Sequence, residues 1–254
     1  MSWRLLRAEF LKQRSTRTNL ELLGAMVGLI ALIVYVHGVQ LPVERLATRT
    51  AQLIVLGQGR MIGTLFGAIL GGLSITGEFR HGTIRPTFVV TPKRGRVLLV
   101  KVVVGALFGV AFGLIAAAAA VGVGGAALAQ RGVVLSLDGN DYALLLAGTA
   151  AGAGLWAAIG TGLGAVVRNQ VPLLIGICIW LLFVESLLFE DLGLKKIAGI
   201  SDIGRFLPGT LAKEAAGLGD QTLLAPGAAV LGLAVYAVAA AAIGWMAIRA
   251  RDVP

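Results

Sequence analysis

Residues 77–96 read GEFRHGTIRPTFVVTPKRGR, a polar interlude between two apolar runs, MIGTLFGAILGGLSI (61–75) and VVVGALFGVAFGLIAAAAAVGV (102–123). Each run belongs to a segment long enough to cross ~30 Å of hydrocarbon, which takes roughly 20 mostly apolar residues. The interlude is therefore read as a loop between two membrane spans. The rest of the chain agrees: 57% of its 254 residues are hydrophobic and 14% charged. A soluble domain averages about 45–50% apolar and ~25% charged residues, so a soluble fold of this composition could not cover its own surface with polar groups.

Working outward, six segments have span length and polarity: about 20–39, 53–76, 97–121, 142–167, 171–189 and 226–248. β-barrel strands would show alternating segments of about ten residues, and none is present. The expectation is an all-α polytopic membrane protein, one transmembrane domain over 1–254 with six spans.

Basic residues orient it. The N-terminal segment, the interlude with Lys101, Arg168 and the C-terminal tail hold 14 Lys and Arg, against 8 for the opposite side. Cytoplasmic loops carry the excess, so both termini and the interlude are expected in the cytoplasm of a cell-membrane protein. The net charge of +9 is accounted for by these loops and the anionic leaflet; no nucleic-acid partner is expected. The lone Cys178 rules out an internal disulfide and is read as a packed thiol.

The opening MSWRLLRAEFLKQRSTRT (1–18) lacks an obvious cleavage site for a signal peptide. Trp3, Leu6 and Phe10 recur at helical spacing, with Arg4, Arg7, Lys12 and Arg14 largely elsewhere on the wheel. That pattern predicts an amphipathic helix lying among lipid headgroups. Glycines four apart (Gly63, Gly67, Gly71; Gly105, Gly109, Gly113; Gly148, Gly152; Gly160, Gly164) predict close helix packing, within or between subunits. Glu21, Arg60 and Glu185 are the charges read as nearest the hydrocarbon, at span ends where side chains reach the interface. Residues 190–225, of mixed charge, are expected to form an extracytoplasmic cap of one or two short helices around 197–206 and 211–218.

Within the interlude, the second span is expected to end near Arg80–His81. A short helix then starts with Thr83 as N-cap and Pro86 in its first turn, where a missing N–H costs nothing. Thr91 caps the third span and Pro92 opens it. Ile84, Phe88 and Val89 are expected to project into the cytoplasm, rimmed by Glu78, Arg80 and Arg85, as a docking surface for a soluble partner.

The stretch GEFRHGTIRPTFVVTPKRGRVLLVK (77–101) resembles the cytoplasmic insert of ABC-2 type transporter permeases, in which a Glu–aromatic–Arg–His–Gly–Thr run leaves the second span and Thr-Pro with basic residues enters the third. RAEFLKQRSTRT (7–18) is similar to that family's interfacial opening, with Glu9 and Lys12 in matching places. The resemblance implies a permease subunit of an ATP-driven exporter, working as a homodimer or with a related permease. It implies a separate cytoplasmic ATPase, which binds ATP and magnesium and grips a coupling helix within 78–91. Phe79, Ile84 and Phe88 would take the push, Arg85 would flank them, and Glu78, Arg80 and His81 would hold the helix to its partner and to the N-terminal helix.

No phosphate-loop motif G-x-x-x-x-G-K-[ST] occurs, nor any Gly-Lys pair to begin one. No cofactor or metal is therefore expected in this chain, and no catalysis. Two other classes fit the same hydropathy: an ATP-independent channel or secondary transporter, and a membrane scaffold recruiting a cytoplasmic partner. The first calls for interrupted mid-membrane helices and buried coordinating charges, which the spans do not display.

Overall fold

The computed structural model describes residues 3–91, 93–185, 187, 204–218 and 224–250. These are predominantly helical, with no strand among them. Helix α1 (Trp3–Ser15) leads across Thr16 into α2 (Arg17–Gln40). Two short pieces, α3 (Val43–Leu46) and α4 (Arg49–Leu56), precede α5 (Gln58–Arg80). Then come α6 (Ile84–Val90), α7 (Arg94–Gln130), α8 (Gly139–Val167) and α9 (Gln170–Ile179), which continues as a π-helical turn over Trp180–Val184. Helix α10 (Pro208–Ala215) and α11 (Pro226–Ala250) complete the described chain.

Five stretches are long and apolar enough to cross a membrane: α2, α4 with α5 (Arg49–Arg80), α7, α8 and α11. The fifth segment expected from sequence, 171–189, is described as a shorter apolar helix over Gln170–Val184. Among the described residues, five spans are therefore shown. At 1.5 Å per residue, the 37 residues of α7 reach about 55 Å, well beyond the ~30 Å of a hydrocarbon core. Its first turns, with Arg94, Arg96 and Lys101, are the polar part of that excess.

The centre is a three-helix stack of α5, α7 and α8 in which glycine replaces side-chain contact with backbone contact. A Cβ on Gly71 would overlap the Ala157 carbonyl oxygen, and one on Gly67 would overlap that of Ala153. Gly109 and Gly113 of α7 lie equally close to the Ala153 and Thr149 carbonyls, and Gly160 to that of Ala68. The four-residue glycine spacing thus serves packing inside one chain. Lipid tails compete with any apolar side chain, so close backbone approach is a principal source of helix association. Thr161 stitches the same interface, its hydroxyl donating to the Gly71 carbonyl at 3.1 Å.

Helix α2 packs one stripe, Met26, Ile30 and Val34, onto Leu70 of α5 and Phe112, Ala116 and Leu128 of α7. Its opposite face, with Leu29, Leu32 and Tyr35, is exposed. Helices α9, α10 and α11 pack on the other side through Leu173, Ile177, Leu211, Ala212 and Leu233, around Trp156 of α8.

The bundle has two chemically distinct ends. At one, Gln52 is fully buried and donates to the carbonyls of Leu46 (3.1 Å) and Val134 (2.9 Å) while accepting from the Ser136 amide (2.8 Å). Arg49 pairs with Asp141, the residue that also completes a capping box with Asp138 at the start of α8. Glu185 accepts the amides of Gly209 (2.9 Å) and Thr210 (3.0 Å), capping α10 with a carboxylate where a helix carries its positive pole. Of the 190–225 segment, 204–218 and 224–225 are described. Helix α10 packs into the bundle, with Leu211 and Ala212 fully buried, and the patterning expected at 197–206 falls largely outside the described residues. The other end gathers α1, the 77–96 elbow and the last turns of α8 and α11.

Candidate functional site

The elbow begins where α5 stops. The His81 amide closes the last turn on Gly77, its ring Nδ1 donates to the Gly77 carbonyl at 2.8 Å, and Gly82 follows at φ +68°. That left-handed residue reverses the chain without a side-chain clash. Helix α6 runs Ile84–Val90, with Pro86 third in the helix, a position with no intrahelical acceptor for an N–H. Thr83 precedes it but its hydroxyl accepts no capping bond. Thr91 leaves the helical region (φ −126°, ψ 86°), as a residue before proline prefers to do. Helix α7 starts at Arg94 with Lys93 as its N-cap, two residues later than the Thr91-Pro92 start expected from sequence; Pro92 itself is outside the described residues.

The orientation of α6 corrects the sequence reading. Ile84 is 2% exposed and Phe88 8%, both packed with Ile75, Val97, Leu98, Ala165 and Ile248. They face the bundle. The outward face carries Arg85, Pro86 and Val89, the last 80% exposed. Phe79 is half-buried against the same cluster. Three arginines brace the cluster from outside. Arg94 lies over the Phe88 ring at 5.5 Å and donates to the Ile248 carbonyl at 3.3 Å. Arg168 lies over Phe79 at 5.2 Å and donates to the Ala247 carbonyl at 3.1 Å. Arg80 reaches Gln170 at 3.3 Å. On the far side Gly95 meets the Trp245 ring so closely that a Cβ there would overlap it. The elbow is thus fastened to α8, α9 and α11 as well as to the spans it joins.

Beneath it lies a buried ion cluster. Lys101, two turns into α7 and 1% exposed, donates to Glu9 of α1 at 2.8 Å and pairs with Glu78 of α5 at 2.8 Å. It also lies 3.4 Å from the Ser74 carbonyl. Lys12 of α1 pairs with the same Glu78 oxygen. Two carboxylates and two ammonium groups, from three elements, balance in charge. The other Glu78 oxygen, Oε2, is buried with no hydrogen-bond partner.

The cluster changes the picture of α1. Trp3, Phe10 and Leu11 are exposed, Trp3 at 75%, and Leu5 is partly covered by the elbow's apolar cluster, while the polar Glu9 and Gln13 are buried against the bundle. The helix therefore has three faces: apolar outward, basic outward, and a narrow acidic-polar seam sealed onto α5 and α7. The resemblance named Glu9 and Lys12 in the N-terminal helix and had Glu78, with Arg80 and His81, holding the coupling helix to that helix; Lys101 was counted among the loop charges and its role was missed. The signal was present, a lysine inside VLLVKVVVG (97–105). A cation within an apolar helical run demands a partner; Glu78 lies in the polar segment just before that run, Glu9 two spans earlier in the chain. No family model matches the chain, and no curated protein matches it.

Proposed function

We propose that the chain is the membrane-spanning permease subunit of an ATP-driven exporter of ABC-2 type. In this reading it forms the substrate path as a dimer with a second permease, and separate cytoplasmic ATPase subunits drive it. The observation that carries the reading is the elbow: a short helix whose outward face is free and whose inward face is bolted to several elements of the bundle. A force applied to Arg85 and Val89 passes through Ile84 and Phe88 into α5, α7, α8 and α11, and through Glu78 and Lys101 into α1. A scaffold that only recruits a partner has no need of such anchoring, whereas a lever does.

Six spans, with the fifth extending Gln170–Val184, and cytoplasmic termini belong to the same proposal. Glu78, Ile84 and Phe88 act in it as anchors, and His81, Arg85 and Val89 as the face offered to the ATPase. Phe79, Arg80 and Arg168 brace that face.

Co-purification tests this. Tagged chain from native membranes is expected to bring down a phosphate-loop ATPase. Arg85→Glu with Val89→Asp, on an exposed face that leaves the core intact, is expected to reduce recovery at least tenfold while the melting midpoint in detergent stays put. Recovery of no ATPase by the wild-type chain, or unchanged recovery by the double variant, would set the reading aside.

A further inference from the structure

A cleft of about 470 Å³ opens beside the ion cluster, between α1, the end of α6 and the start of α7, lined by Arg4, Leu5, Ala8, Val90, Arg96 and Leu99 among others. Its chemistry is uneven. Arg4 and Arg96 supply two guanidinium groups, no carboxylate lines it, and neither guanidinium has an ion-pair or hydrogen-bond partner among the described residues. The remaining wall is apolar apart from Thr91. From the cleft an apolar stripe runs down α7 through Leu99, Val103, Leu107 and Ala111, spaced four apart; Leu99, Leu107 and Ala111 are exposed and Val103 partly so. Trp3, next to Arg4 and largely exposed, is of the type that settles at the headgroup level of a bilayer.

We propose that this cleft is a binding site for one anionic phospholipid. The phosphate sits between Arg4 and Arg96, and an acyl chain lies along the α7 stripe. Guanidinium groups match phosphate oxygens in pairs of parallel hydrogen bonds. A free phosphate would use the two arginines but not the stripe; a zwitterionic lipid would use the stripe but bring an ammonium group to a site that already holds two cations. Only an anionic lipid satisfies both parts. Because α1 and α7 are also joined by Glu9 and Lys101, a lipid held here stiffens the seam that closes the buried ion cluster.

The test uses the full chain, delipidated in detergent and titrated with phosphatidylglycerol, phosphatidylcholine or inorganic phosphate, with bound species read by native mass spectrometry. One phosphatidylglycerol per chain is expected to be retained, with phosphatidylcholine weaker and millimolar inorganic phosphate unable to displace it. A basic side chain near an anionic lipid surface is worth about fivefold in affinity, so Arg4→Gln with Arg96→Gln is expected to weaken retention about 25-fold. Leu107→Gln, on the acyl stripe two turns below the cleft and outside its lining, is expected to weaken it as well. Arg14→Gln with Arg17→Gln, equally exposed but outside the cleft, is expected to change little. Equal losses in both arginine pairs would reduce the effect to general surface attraction and overturn the proposal. Displacement by inorganic phosphate alone, or no lipid retained by the folded wild-type chain, would overturn it too.

Discussion

Lys101→Met is expected to destabilise the bundle by about 3–5 kcal/mol, the usual cost of removing one partner from a buried ion pair. The methionine fills nearly the same volume, so the loss is electrostatic rather than a cavity effect. Glu9 loses the Lys101 ammonium, and Glu78, already with one unpartnered oxygen, keeps the half-exposed Lys12. Chemical unfolding in detergent measures the change. The triple variant Lys101→Met, Glu9→Gln, Glu78→Gln is expected to recover more than half of it, because neutral amides cost far less to bury than carboxylates. A full loss in the triple variant would mean that Lys101 acts through packing alone, and that the cluster is not an electrostatic fastening between α1 and the elbow.

The second large effect lies at the bundle's centre. Gly71→Val is expected to cost about 3 kcal/mol, the upper range for overpacking, because the colliding atom is the Ala157 carbonyl oxygen and backbone cannot turn aside as a side chain can. Helices α5 and α8 must part to admit it. Gly122→Ala on α7 is the matched control: nothing lies within 4 Å of its added Cβ. There the higher helix propensity of alanine is expected to leave stability unchanged or raise it by up to ~1 kcal/mol. Equal effects at the two positions would mean that the α5–α8 contact is not the close approach described.

Much of this architecture was legible in the sequence because membrane insertion imposes a coarse and strict code. Twenty apolar residues in a row have few ways to satisfy their backbone other than as a helix, so the principal helices follow from hydropathy, and the break at Gly82 from glycine. The glycines spaced four apart were readable as contact surfaces; that they meet within one chain was not, since spacing says nothing about which helix is the neighbour.

The elbow shows where reading stops. Helix α6 is seven residues long and apolar on both sides, Ile84 and Phe88 on one and Val89 and Val90 on the other. Periodicity identifies a face but not which face meets protein when each is apolar. Only the positions of Ile75 and of Ala165 and Ile248, the last two far away in sequence, settle that Ile84 and Phe88 turn inward. The ion cluster illustrates the converse. Lys101 stands out as a cation inside an apolar run, but its partnership with Glu9 and Glu78 requires knowing that α1 folds back over α5 and α7.

The most direct measurement on the central claim is a photo-crosslinking amino acid placed at Val89, on the free face of α6, and activated in native membranes. The account predicts a dominant adduct with a cytoplasmic ATP-binding subunit, whose yield changes when ATP hydrolysis is trapped. Adducts only with lipid, or labelling of Val89→Cys by a membrane-impermeant thiol reagent added outside intact cells, would contradict it.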